Sequence, residues 1–231
     1  MVKLIALLVR RRDLSEVEFH RHWRYQHGPL AAQITSMQRY CQCHLVPRPP
    51  HDLPIALEFG GTAEVWWEDL AAAERLATDP EYTENALPDE PRFIDMDRMV
   101  FMTVAERVLL DGPPTRREAG GVKVIQLLTR AAGTSPDEFR QRSEAEPDGG
   151  EGERLAMTRH VRTTCVSAAY SDERPPAFDG TREMWWPDEW AFAAARENEP
   201  EAWSALTDLP HVDHGRSPFL VTVENRVVWP D

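Results

Sequence analysis

The chain has 231 residues, 42% of them hydrophobic, and a formal net charge of −13. Phosphate contacts need clustered lysine and arginine, so this acidity argues against a nucleic-acid partner and against an anionic membrane. No apolar run reaches the ~18 residues of a membrane span and no charged, apolar leader opens the chain, so a soluble, cytoplasmic protein handling a small molecule is expected.

In chain order, residues 3–10 are rich in leucine, isoleucine and valine and predict a buried strand. A helix follows, opened by a capping box with Ser15 as N-cap and Glu18 three residues on, and expected to stop at Gly28-Pro29. At about 100° per residue His20, Trp23 and His27 share one side, and Phe19, His22 and Gln26 the adjoining stripe. Residues 30–38 predict a further helical turn or two. In 39–46 Tyr40, Gln42 and His44 alternate with Cys41, Cys43 and Leu45, the period of a half-buried strand. The prolines of 47–54 exclude a sheet ladder and predict a loop or lid. A strand over 63–67, a helix over 68–77, a short helix over 80–86 and a strand over 99–108 complete the series.

The chain then compares with itself. Val2-Lys3-Leu4-Ile5-Ala6-Leu7-Leu8 returns as Val122-Lys123-Val124-Ile125-Gln126-Leu127-Leu128, and these two lysines are the only ones present. Gly61-Thr62-Ala63-Glu64-Val65-Trp66-Trp67 returns as Gly180-Thr181-Arg182-Glu183-Met184-Trp185-Trp186. This reads as a tandem duplication of about 110 residues. One region breaks the match: His22, Trp23 and His27 are answered by Arg142, Ser143 and Pro147. The expected domains are 1–110, with the intact helix motif, a linker over 111–121, and a degenerate second unit over 122–231 whose first helix is shortened around 144–153.

The order β-α-β-β-α-β is the split pattern of a ferredoxin-like unit, with both helices on one face of a four-stranded sheet. A sheet that is apolar on both sides needs cover, which the second copy supplies. The expected fold is therefore α+β: two tandem ferredoxin-like units whose sheets pack into a pseudo-dimeric α/β barrel within one chain. Such a chain need not dimerise to close its barrel, so monomer and homodimer both stay open.

Phe19-x-x-x-Trp23-x-x-x-His27-Gly28-Pro29-Leu30, Arg39-Tyr40, the Gly61–Trp67 run and Asp89-Glu90-Pro91-Arg92-Phe93-Ile94-Asp95 together resemble the EthD family. The resemblance covers nearly all of 2–107 and, more weakly, 122–226. It implies the dimeric α/β-barrel superfamily, which includes small polyketide cyclases, antibiotic-biosynthesis-type monooxygenases, muconolactone isomerase and haem-degrading enzymes.

A pocket between the first helix and the sheet, open toward the loop after the second strand, is where the chemistry is expected. An imidazole can give or take a proton at neutral pH, so His27 is the candidate acid/base and His22 its partner. A helix C-terminus would raise the pKa of His27; the plain alternative is a helix cap. Tyr40 and Glu64 are candidate polar contacts, and Trp23, Trp66 and Trp67 candidate walls for a flat or apolar substrate. The recurrence of Trp185-Trp186 and Glu183 in the half without these histidines favours packing roles for one tryptophan of each pair and for Glu64. No metal site and no cofactor is expected: the histidines lack helical zinc spacing, Cys41, Cys43 and Cys165 lack ligand spacing, and nucleotide-binding loops are missing. Haem stays open on the superfamily resemblance. Three readings follow: a lyase, cyclase or isomerase acting on a small aromatic or polyketide-like compound, a cofactor-free monooxygenase, and a non-catalytic binder serving an oxygenase pathway.

Overall fold

The computed structural model describes residues 1–50, 52–112, 121–146, 150–170 and 175–230. Eight strands form one closed barrel: β1 Val2–Leu8, β2 Arg39–Leu45, β3 Gly61–Trp67, β4 Val100–Leu110, β5 Val122–Leu128, β6 Arg159–Cys165, β7 Gly180–Trp186 and β8 Phe219–Val228. Their order around the barrel is β1-β3-β2-β8-β5-β7-β6-β4, antiparallel throughout. The first half supplies β4-β1-β3-β2 and the second β8-β5-β7-β6. The halves meet edge to edge, β2 on β8 and β4 on β6, so every edge strand is hydrogen-bonded. The repeated segments keep one register: Lys3 faces Trp66 and Lys123 faces Trp185, while Leu8 faces Gly61 and Leu128 faces Gly180.

Side chains alternate between the barrel interior and the outer face. Ile5, Leu7, Cys41, Cys43, Met102, Ile125 and Leu127 fill the interior. At its centre sit the only two lysines. Lys3 Nζ lies 2.7 Å from Glu64 and 2.6 Å from Glu183; Lys123 Nζ lies 2.6 Å from Glu64 and 2.8 Å from Glu183. Thr62 and Thr181 each donate to the glutamate two residues on, both at 3.0 Å. Trp66 donates to Glu106 at 2.7 Å and Trp185 to Glu224 at 3.1 Å. Burial alone would neutralise these groups, but each charge faces two of opposite sign: Lys3 is held protonated and Glu64 well below the usual carboxylate range.

The helices lie outside. Over the first half run α1 Glu16–His22, a π turn Trp23–His27, α2 Gly28–Ala31 and α3 Leu70–Glu74; over the second, α4 Pro136–Ala145, α5 Glu151–Arg154, α6 Glu189–Asn198 and α7 Pro200–Thr207. Ser15 makes the expected capping box with Glu18. The expected stop at Gly28-Pro29 is corrected: the helical run passes through it. Pro29 has no N–H and its ring crowds the carbonyl four residues back, so the chain loosens into a π turn, with the Gly28 N–H bonding Trp23 O, and then continues. The short helix expected over 80–86 is a π turn over Tyr82–Ala86. In the second half α4 runs ten residues and stops at Ala145, whereas the helical run of the first half continues from Glu16 to Ala31, and the expected loose loop after α4 contains α5. Most of the expected linker, 113–120, lies outside the described residues.

Candidate active site

The first half encloses a cavity of about 90 Å3 between the outer face of its strands and the helical layer. Its floor is made of small or aliphatic side chains, Leu4, Ala6, Ala63 and Val65, and its polar lining of His27, Tyr40, Tyr82 and Glu90. At ~10–15 Å3 for each water there is room for roughly six waters, or one to two fused rings. Phe101, half exposed, stands at its rim.

His22 and His27 would lie about 140° apart on a regular α-helix of 3.6 residues per turn. The π turn between them brings both onto one carboxylate: His22 Nε2 is 3.0 Å and His27 Nδ1 3.2 Å from Asp89 Oδ2. Asp89 is buried, and its segment is tied to the end of β1 by Arg11 N–H to Phe93 O and Asp95 N–H to Val9 O. Phe93 packs under both imidazoles, stacked on His22 at 4.9 Å and tilted against His27 at 5.1 Å. With the Nδ1 proton held by Asp89, the neutral His27 ring keeps a lone pair on Nε2. Burial lowers the His27 pKa, against the partial support of Asp89. This corrects the expected rise: His27 sits inside a continuing helical run, away from any helix C-terminus, and is 7% exposed.

On the strand side, Tyr40 Oη accepts from Trp23 Nε1 and Gln42 Nε2, both at 3.2 Å. Gln42 also donates to Trp23 O at 2.8 Å, a close approach that a side chain at Gly28 would obstruct. With both acceptor positions filled, the Tyr40 hydroxyl proton is left to point at a ligand, and burial pushes its pKa upward so that it stays a donor. Glu90, hydrogen-bonded to Tyr82, is raised to about 7 by burial and so exchanges a proton near neutrality.

Of the sequence candidates, His27, Trp23 and Tyr40 line the cavity, and His22 lies outside the lining, on the Asp89 carboxylate that His27 also meets. Glu64 and Trp66 do not: neighbours of Val65 on a strand of period two, they point into the barrel, onto Lys3 and Lys123 and onto Glu106 respectively. Trp67 is on the cavity's side of the sheet but is wholly buried beneath Ala31, Ile34 and Ala72, outside the lining. Asp89, Glu90 and Tyr82 were not assigned roles from sequence. Asp89 and Glu90 lie within the family-like run, yet nothing in spacing brings residue 89 to residue 27.

As to metals, Cys41 Sγ, Cys43 Sγ and the Glu224 carboxylate lie within 4.8 Å of one another inside the barrel. Cations already occupy that charge: Lys123 Nζ is 3.8 Å from Cys43 Sγ, and Arg226 pairs with Glu224 at 2.6 Å. The cavity beside His27 lies far below the ~300–1,000 Å3 of sites for larger ligands and does not fit a porphyrin.

No helix among the described residues is long and apolar enough to cross a membrane. No curated protein matches the chain by sequence. Among solved structures, an "anthrone oxidase-like protein" is similar at 12% identity and TM-score 0.60, over 98% of this chain and 93% of that one. Two others are described as "putative monooxygenase". The one from Lactobacillus acidophilus NCFM shares 9% identity at TM-score 0.53, over 98% and 93% of the two chains. The one from Fusobacterium nucleatum subsp. nucleatum ATCC 25586 shares 6% at 0.58, over 98% and 92%. At these identities the likeness is one of fold. The family model for the EthD domain matches residues 11–97, the segment that carries His22, His27, Tyr40, Asp89 and Glu90.

Proposed function

We propose that the first half is a cofactor-free enzyme that moves a proton on a small aromatic or polyketide-like compound, as a lyase, cyclase or isomerase. The observation that carries this is the Asp89-oriented His27 beside an apolar cavity. Asp89 holds the ring in one tautomer, His27 Nε2 takes a proton from an activated C–H, and the Tyr40 O–H stabilises the resulting enolate oxygen. Glu90, near neutrality in its affinity for a proton, returns one to the far side. Trp23, with the aliphatic floor, walls the ring of the substrate.

Under this reading the chain is a duplication, 1–110 and 122–231 joined by 111–121. Each part is a ferredoxin-like unit, and together they form a pseudo-dimer able to work as a single chain in the cytoplasm. A second reading shares the first step: the carbanion, formed on an electron-rich substrate, is met by dioxygen, as the "anthrone oxidase-like" neighbour invites.

The test uses 2-tetralone, a two-ring ketone with an activated methylene. Incubated anaerobically in D2O with the protein, it should take up deuterium at that methylene faster than in buffer, and His27→Gln should abolish the difference. Oxygen uptake in air that follows the same dependence would favour oxygenation. No exchange and no binding would overturn both readings.

A further inference from the structure

A second hollow, a groove of about 680 Å3, runs between α1, the end of β2 and the 57–60 turn. It is separate from the cavity, behind the Phe19 and Trp23 rings, which are 5.6 Å apart. In a chain of net charge −13, five arginines reach it: Arg10, Arg12, Arg21, Arg24 and Arg98. Only two carboxylates, Glu16 and Glu58, share the lining. Among the described residues, only Arg98 of the five is paired with a carboxylate, at 4.0 Å from Asp95. Arg10 bonds backbone carbonyls, and Arg24 Nε is shut off from water without a partner. Like charges gathered along one groove raise the local potential and favour an anion there.

The groove is also where apolar surface is exposed. Val17, Tyr25, Leu57 and Val223, 75%, 69%, 69% and 38% exposed, all line it. A monomer seldom leaves such a patch open without a use. At its base His20 Nδ1 meets His44 Nδ1 at 2.9 Å, so at least one of these rings is neutral and one proton is shared. Burial lowers both pKa values, which leaves the arginines as the cations of the groove. A planar guanidinium grips a carboxylate with two hydrogen bonds, and the apolar wall gives no purchase to a bare inorganic ion.

We infer that this groove binds an organic carboxylate with an apolar body, held at its charged end by Arg21 and Arg24 and along its length by Tyr25 and Leu57. The site is independent of the cavity chemistry.

Calorimetric titration of the full chain with 2-naphthoate, 2-naphthylmethanol and inorganic phosphate tests it. Naphthoate should bind at least ten-fold tighter than the neutral alcohol, and the preference should shrink at 0.5 M salt. Arg21→Gln and Arg24→Gln should each weaken naphthoate about five-fold and leave the alcohol unchanged. Ala63→Met, which fills the cavity, should leave naphthoate binding intact. Equal affinity for acid and alcohol, or no binding of either, would overturn the inference. So would phosphate displacing naphthoate at equal concentration, or naphthoate binding that is lost with Ala63→Met and untouched by the arginine variants.

Discussion

The same sheet positions carry Ala6, Gln42 and Ala63 in the first half and Gln126, Arg162 and Arg182 in the second. Two methyl groups leave a hollow; the longer side chains fill one. Arg182 is fully buried, donating to Gln126 Oε1 at 3.1 Å and to Glu146 at 3.3 Å, and Arg162 reaches Ser143 O at 2.8 Å. His160 stands where Tyr40 does, and burial beside the two guanidiniums lowers its pKa to about 3, which keeps the ring uncharged at neutral pH. Inside the barrel, by contrast, the halves agree residue for residue around Lys3 and Lys123. The closure that both halves share constrains the interior of each; the outer face of each is free to become a site or a plug.

The largest expected effect breaks the difference. His27→Gln removes the ring nitrogen that faces the cavity and should slow deuterium exchange of 2-tetralone by about 10^2–10^4-fold. Ser143, its counterpart region's polar group, changed to Ala should leave that exchange unaltered, measured by NMR under the same conditions.

The agreement is broken instead by Glu64→Gln, which leaves two ammonium groups short of a carboxylate in the barrel centre. The cost expected for breaking a buried pair is about 3–5 kcal/mol, read by urea unfolding. Its pH dependence has a definite sign. The folded-state pKa of Glu64 is below its ordinary 4.5, so the stabilisation is complete above that value and is lost as pH falls through the lower one. The stability gap between wild type and Glu64→Gln should therefore close only in acid well below pH 4.5.

A smaller effect makes the first half resemble the second. Ala63→Met fills the cavity at an overpacking cost of about 1–3 kcal/mol and should abolish 2-tetralone binding by calorimetry. The smallest concerns the helix starts. Ser15 both accepts from Glu18 N–H and donates its own N–H to the Glu18 carboxylate, whereas the Ser135 hydroxyl accepts from Glu138 N–H without the reciprocal half of a capping box. Ser15→Ala should thus cost about 1 kcal/mol and Ser135→Ala somewhat less, by thermal unfolding.

What the chain order made legible was whatever depends on near neighbours. Period two put Cys41 and Cys43 on one face and Tyr40, Gln42 and His44 on the other, and the capping box marked where α1 begins. The repeated strands announced eight strands and a closed barrel, though not that the halves would join edge to edge. His27, Trp23 and Tyr40 were legible as lining because they share helix and strand faces turned the same way.

Glu64 and Trp66 went astray because alternation alone does not say which face of a strand holds the cavity. Asp89 and Glu90 were invisible as site residues because they come from a turn 62 and 63 positions beyond His27, and loops carry no period from which direction can be read. The sequence by itself determined the strands, their pairing partners in number and the asymmetry between histidine-bearing and histidine-free halves, all written in local patterns. Tertiary structure decided that a proline loosens a helix into a π turn and that two imidazoles thereby converge on a distant carboxylate, because convergence is a property of packed elements in space.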